Sequence, residues 1–122
     1  MLWNRGGKRV RLEPENWVER GSYRKCVLVS VPGKGVLIQL VQVPAGKRVG
    51  EHYHKHQTEF YYILRGRAQL RIGEEVYLAE RGDTYLCGAG EVHSVDNSAG
   101  SEPFELLVVK LNYKEEDSVW LG

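Results

Sequence analysis

Short stretches rich in β-branched and aromatic residues, separated by glycine and proline, run along most of the chain. The clearest alternation is at 67–72, where Ala68, Leu70 and Ile72 would share one face of a strand. A side-chain period of two is typical of a strand with one buried face. No stretch has a convincing helical period. The pattern predicts strands at residues 23–31, 36–43, 49–54, 58–64, 67–72, 76–79, 84–87, 92–96 and 104–111.

Regularly spaced short strands favour an all-β sandwich or barrel, and closure of the sheet removes exposed strand edges. The chain has 122 residues, which is enough for one domain with one hydrophobic core. We expect the barrel to span 23–113 and a charged tail to follow at 114–122. Residues 1–22 are predicted to form an arm that packs on the barrel or on a partner subunit. Four of its basic residues lie near its start, at Arg5, Lys8, Arg9 and Arg11.

Composition and charge exclude several classes of function. The formal net charge is +1, so no global field attracts nucleic acid or an anionic membrane. No apolar run approaches the roughly 18 residues of a membrane-spanning helix, and the first residues lack the apolar core of a signal peptide. A cytoplasmic location is therefore the default expectation. Cys26 and Cys87 form no CxxC pair, and we expect free thiols rather than a zinc site or a disulfide.

Three histidines lie close together, at His52, His54 and His56. If 49–54 is a strand, His52 and His54 point to the same face, where two imidazoles can approach a single ion. Glu59 opens the next predicted strand and can return beside them. Imidazole and carboxylate together suit Fe, Mn, Ni, Zn or Co better than Ca or Mg. On spacing alone, the cluster is equally compatible with a metal site or with surface histidines.

The spacing of glycines around these residues resembles the two conserved boxes of the cupin family. The first box reads Gly46, five residues, His52-Tyr53-His54, four residues, Glu59, six residues, Gly66. The second box reads Gly82, five residues, Gly88-Ala89-Gly90, two residues, His93, three residues, Asn97. Gly88 stands where the cupin pattern usually has proline, and the other named positions of the second box match.

The resemblance implies a double-stranded β-helix, or jelly-roll, barrel. It also implies that His52, His54, Glu59 and His93 bind one divalent transition metal ion, which would be Fe, Mn, Ni, Zn or Co. A different register, with His56 as a ligand, would leave only two residues before Glu59 and would place Arg48 where the box has glycine. We therefore favour the first register.

Two further residues are candidate catalytic groups. Tyr61 would share the inner face of its strand with Glu59 and could offer a phenol near the metal, or could simply fill the barrel. His56 would lie in a turn at the barrel mouth, either solvated or acting as a proton relay or substrate contact. Three basic residues near the mouth could bind a phosphate group or be solvated charges: Arg48, Lys55 and Arg65.

Cupins carry out many reactions, so the resemblance implies a class of function and not one activity. We expect a metal-dependent enzyme acting on a small oxygen-rich metabolite, of the sugar or sugar-phosphate isomerase, dioxygenase or decarboxylase type. The alternatives are a non-catalytic module that binds a small ligand through the metal, and a barrel whose metal is only structural. The expected partners are a small molecule and a second copy of the chain in a homodimer, with no nucleic acid and no membrane.

Overall fold

The computed structural model describes residues 9–31 and 33–122. Within these ranges the chain forms one short 3-10 helix, Pro14–Asn16, and eleven strands. The strands are β1 (Trp17–Glu19), β2 (Arg24–Val31), β3 (Val36–Val43), β4 (Arg48–His54), β5 (Thr58–Arg65), β6 (Arg67–Ile72), β7 (Glu75–Glu80), β8 (Thr84–Cys87), β9 (His93–Asp96), β10 (Phe104–Leu111) and β11 (Ser118–Trp120). The predicted all-β class is confirmed, and each of the nine predicted strands matches one from β2 to β10.

The strands pair into two antiparallel sheets. One has six strands in the order β1-β2-β3-β10-β5-β8, and the other has five in the order β11-β4-β9-β6-β7. Consecutive strands β4 and β5 lie in different sheets, so the turn between them joins the two sheets. This connection places side chains from β4 opposite side chains from β5 inside the barrel.

Alternating apolar side chains from both sheets meet in one core. Among the largest fully buried side chains are Phe104, Ile63, Leu70 and Val43. On β6 the predicted alternation is confirmed, since Ala68, Leu70 and Ile72 are buried while Arg67 and Gln69 are exposed. Burying such side chains stabilises the barrel by roughly 25 cal/mol per Å² of apolar surface.

Specific residues fix two of the connections between strands. Gly66 has a φ of 80°, and a side chain there would run into the backbone of Pro103 and Phe104. The Asn97 amide donates hydrogen bonds to the carbonyl oxygens of Val43, Pro44 and Glu102, at 3.0, 3.2 and 3.0 Å. The three Asn97 hydrogen bonds join the β3–β4 connection to the β9–β10 connection.

The arm and the tail each contribute a strand of three residues that the sequence pattern did not predict. In the arm, β1 pairs with β2, with Trp17 opposite Cys26. In the tail, β11 pairs with β4, with Trp120 opposite His52. Residues 1–8 of the arm, including Arg5 and Lys8, lie outside the described residues. No helix among the described residues is long and apolar enough to cross a membrane.

Candidate metal centre

Three strands bring four predicted ligands into the barrel. His52 and His54 lie two residues apart on β4 and share its inner face, as the period of two requires. His93 opens β9 and is the register partner of His52 across the β4–β9 pair. Glu59, on β5, belongs to the opposite sheet and faces them. All four side chains are buried.

The donor atoms of these residues lie close together. One donor nitrogen each from His52, His54 and His93 can be chosen so that all three lie within 4.8 Å of one another. The Glu59 Oε1 atom lies 3.1 Å from Nε2 of His54 and 3.2 Å from Nε2 of His93. Ligands at about 2.1 Å from one ion and at right angles are about 3.0 Å apart. The spacing of the cluster therefore fits a transition metal ion, and the histidines are able to bind one.

Each imidazole is held through its other ring nitrogen. His52 Nδ1 donates to the Gly50 carbonyl oxygen at 2.8 Å, and His93 Nδ1 donates to the Glu91 carbonyl oxygen at 3.0 Å. His54 Nδ1 lies 3.0 Å from Ser118 Oγ, the hydroxyl of β11. A protonated Nδ1 leaves Nε2 with a free lone pair, and metal-binding histidines are usually oriented in this way.

The electrostatics of the cluster favour a positive charge at its centre. Burial and the nearby His93 lower the pKa of His52 to about 4, so this ring stays neutral. Burial alone would raise the pKa of Glu59, but hydrogen bonds from His54 and His93 outweigh it and hold the pKa well below its usual range. Burial opposes protonation of His93, but contacts with Cys87 and Glu59 raise its pKa. The buried carboxylate therefore attracts a cation, which is a proton when no metal ion is bound.

Tyr61 lies beside this cluster, as the alternation along β5 predicts. Its hydroxyl donates to Glu59 Oε1 at 2.7 Å, and its ring centroid is 6.3 Å from that of His93. Burial and the adjacent carboxylate raise the pKa of Tyr61 well above its usual range. The phenol therefore keeps its proton and orients the carboxylate.

His56 is not brought into the cavity, although the sequence made it a candidate catalytic residue. Strand β4 ends at His54, so the alternation that joins His52 and His54 stops before His56. Its Nδ1 contacts Asp117 Oδ1 at 2.7 Å, and its side chain is 53% exposed. The structure thus places His56 in a turn held by Asp117, outside the set of residues that line the lumen.

Several residues of the site were missed by the sequence reasoning. Trp120 stacks on His52 with ring centroids 4.1 Å apart and planes inclined by 24°. Ser118 supports His54, and the buried thiol of Cys87 lies 3.3 Å from His93 Nδ1. Cys26 and Cys87 are both buried free thiols, as expected. The one signal for the stacking contact in the sequence is Trp120 itself, a large aromatic side chain in an otherwise charged tail.

A cavity of about 140 Å³ opens onto the histidine cluster. Its walls are mostly apolar, from residues such as Val43, Val49, Leu70 and Val108. Its polar members beyond the cluster are Tyr23, Lys25, Gln39, Tyr61, Lys110 and Ser118. The basic residues considered earlier for phosphate binding, Arg48, Lys55 and Arg65, do not line it.

A small jelly-roll barrel with three imidazoles and a carboxylate in its lumen defines a class of metal-binding β-barrels. Comparison with known proteins agrees with this class. The family model described as the cupin domain matches residues 39–110, which is more than half of the chain. The chain belongs to the cupin family. The predicted double-stranded β-helix fold is confirmed.

Relatives of known name differ in function. The oxalate-binding protein of Thermotoga maritima is 33% identical over 76 residues, which are 62% of this chain and 62% of that protein. The mannose-1-phosphate guanylyltransferase RfbM of Salmonella typhimurium is 25% identical over 88 residues. That match covers 71% of this chain but only 18% of the enzyme. The chain therefore matches less than two thirds of the length of either relative.

Solved structures show the same fold. A predicted oxalate decarboxylase from Thermotoga maritima superposes with a TM-score of 0.67 at 29% identity, covering 73% of this chain and 79% of that one. A protein with a double-stranded β-helix domain from Klebsiella pneumoniae superposes with a TM-score of 0.77 at 20% identity, covering 95% and 99%. The second similarity extends over nearly the whole chain.

Proposed function

We propose that this cupin is a metal-dependent enzyme acting on a small oxygen-rich metabolite, with His52, His54, Glu59 and His93 as ligands of one Fe, Mn, Ni, Zn or Co ion. The observation that carries the proposal is the convergence of these four side chains at a cavity of about 140 Å³. Pockets for drug-sized ligands usually measure about 300–1,000 Å³, so this cavity suits a smaller molecule.

The surrounding residues support chemistry rather than a purely structural metal. A bound transition metal ion would supply Lewis-acid or redox chemistry to a substrate oxygen. Four protein ligands leave room for that oxygen in a five- or six-coordinate shell, whereas structural zinc sites are closed. Tyr61 holds a proton on its phenol oxygen next to Glu59, and the apolar walls exclude water from the bound substrate.

A non-catalytic module that binds a small ligand is the second candidate. The observation that favours it is the similarity to a protein named for oxalate binding, at 33% identity. Tight binding without turnover would support this candidate.

The two candidates are separated by turnover with defined metals. The protein is prepared with Fe, Mn, Ni, Zn and Co in turn, and each form is assayed for O2 uptake, for sugar-phosphate interconversion and for decarboxylation of oxalate. Turnover with at least one metal, lost when the metal is removed and restored when it returns, is the expected result. Metabolite binding with no turnover by any form would refute the enzyme and favour the binding module.

We also propose that two copies of the chain form a homodimer. The edge strand β7 exposes Val76 and Leu78, each 59% accessible, and exposed apolar edge strands tend to be covered by a partner. Light scattering at micromolar protein should give the dimer mass, and Leu78→Lys should shift it toward the monomer. A monomer mass for the unmodified protein would contradict the proposal.

A further inference from the structure

Two lysines project into the same cavity as the histidine cluster. Lys110 lies on β10 and is the register partner of Glu59, and its Nζ atom is 3.8 Å from Glu59 Oε2. Lys25 lies on β2 and also lines the cavity. Among the ion pairs of the described residues none includes Lys25. The one carboxylate that lines the lumen therefore shares it with two ammonium groups, before any metal ion is counted.

Excess positive charge in a cavity with apolar walls is unfavourable unless an anion balances it. Burying a charge without a counter-charge is strongly unfavourable. Burial is the main cause that lowers the pKa of Lys25 to about 8, and the positive charges of Lys110 and Arg20 add to it. A bound divalent metal ion would add to the excess. The lumen is therefore short of negative charge.

An unused amide lies on the same wall. Gln39 on β3 is 4% exposed and lines the cavity, and its register partners are Val108 on β10 and Val27 on β2. Within residues 9–31 and 33–122 its buried Oε1 atom has no hydrogen-bond partner. The unpaired oxygen can accept a hydrogen bond from an ammonium or hydroxyl group, while the Nε2 group of the same amide can donate to an anion, so the side chain fits a polar ligand.

We propose that Lys25, Lys110 and Gln39 form an anion subsite opposite the histidine cluster, and that the ligand is a small carboxylate. The carboxylate group lies between the two ammonium groups and the Gln39 amide, and a second oxygen group of the same molecule reaches the metal. This inference rests on the proposed function for the metal end and names the substrate class of that site. The volume of about 140 Å³ limits the molecule to a few heavy atoms, which favours a short hydroxy acid or dicarboxylate.

Lys25 and Lys110 also line a second, neighbouring cavity of about 460 Å³. A ligand that enters the lumen from this side passes both lysines before it reaches the histidines. The two lysines therefore select ligands that carry a carboxylate. They also orient the bound ligand, because holding its carboxylate leaves its other end facing the histidine cluster.

The test compares charged and neutral ligands of the same shape. Zinc-loaded protein is titrated calorimetrically with glycolate and malonate, and with the neutral glycolamide and malonamide. We expect at least one carboxylate to bind in the millimolar range or tighter, and its amide to bind at least about tenfold more weakly, since hydrogen bonds to charged groups are the stronger ones. Equal binding of acid and amide, or no binding of either acid, would overturn the proposal.

Variants identify the subsite. Lys25→Met should weaken carboxylate binding by at least about tenfold while zinc content stays stoichiometric, because Lys25 is not a ligand and does not pair with Glu59. Gln39→Leu should weaken it as well. Lys47→Met removes an exposed lysine that lies outside the cavity and serves as the matched control. Carboxylate affinity unchanged in Lys25→Met would refute the assignment.

The same experiment separates this inference from the proposed function. Stoichiometric zinc with no affinity for carboxylates would leave a metal-dependent site for a neutral metabolite and would remove only the anion subsite. Failure to bind zinc would contradict the proposed metal centre. In that case the titration of the metal-free protein and its Lys25→Met variant still decides whether the lysines bind a carboxylate.

Discussion

The hydroxyl of Ser118 provides a sensitive test of the metal centre, because it touches a proposed ligand without being one. It lies 3.0 Å from His54 Nδ1, and it is the only part of β11 that contacts this ring among the hydrogen bonds of the described residues. Ser118→Ala removes the hydroxyl and leaves the strand pairing between Ser118 and His54 in place. The perturbation is therefore confined to the orientation and tautomer of one imidazole.

The expected loss follows from the contact. A neutral hydrogen bond contributes about 0.5–1.5 kcal/mol, and loss of an outer partner of a ligating histidine typically lowers metal affinity about 10- to 100-fold. Since about 1.4 kcal/mol corresponds to a factor of ten, we expect a loss near the lower end, of about tenfold. The affinity for zinc is measured by competition with a chromophoric chelator. Ser101→Ala, at an exposed serine away from the cluster, should leave it unchanged.

A double-mutant cycle makes the result decisive. If Ser118 acts through His54, Ser118→Ala should have no further effect on the weaker, residual zinc affinity of the His54→Ala variant, which is titrated directly at zinc concentrations above the range of the chelator assay. Equal zinc affinity for Ser118→Ala and the unmodified protein would refute the reasoning. So would an equal loss from Ser118→Ala in the presence and in the absence of the His54 ring, because the effect would then arise elsewhere.

The remaining predictions concern the ligand set, the core and the acid stability. His54→Ala should abolish stoichiometric metal binding while the barrel still folds, and His56→Ala should retain the metal; elemental analysis showing the reverse would favour the other register. Phe104→Ala should lower the free energy of unfolding by about 3–5 kcal/mol in denaturant titrations, whereas Leu86→Ala, at a side chain that is 65% exposed, should change it little. Burial would raise the pKa of Asp117, but hydrogen bonds from the backbone and the His56 ring lower it. Its stabilising effect is therefore present above the unfolded pKa of about 3.9 and is lost as the pH falls through the lower folded pKa. Asp117→Asn should reduce this acid dependence in unfolding experiments; an unchanged pH profile would contradict it.

The strands and the shared face of His52 and His54 could be predicted from the sequence because both depend on local regularities. A period of two over six to eight residues marks each long strand, and the same period places His52 and His54 on one face. That Glu59 and His93 join them was implied by the resemblance of the two boxes to those of cupins, not by a local regularity. The structure brings these four side chains together, and whether all four bind the metal is what the His54 variant and its control test.

The residues that hold the ligands in place, and those on the proposed substrate side of the site, could not be predicted from the sequence. Their positions depend on pairing between segments that are distant along the chain. Ser118 meets His54 only through the register of β11 on β4, and a strand of three residues is too short to show a period. Lys25 and Gln39 are ordinary polar residues in the sequence, and their position in the lumen follows from the pairing of β2 and β3. His56 was a reasonable candidate by proximity, but the end of β4 turns it away from the cavity.

Strand β11 contacts two of the proposed ligands at once, since its hydroxyl supports His54 and its indole stacks on His52. It is also the edge of its sheet and has only three residues, which is the kind of segment that opens locally most often. The rate at which a captured ion escapes should therefore follow the fraying of this strand rather than the unfolding of the barrel. Hydrogen exchange at the Val119 amide would report that opening directly, and its slowing upon zinc addition would show that the ion and the strand hold each other in place.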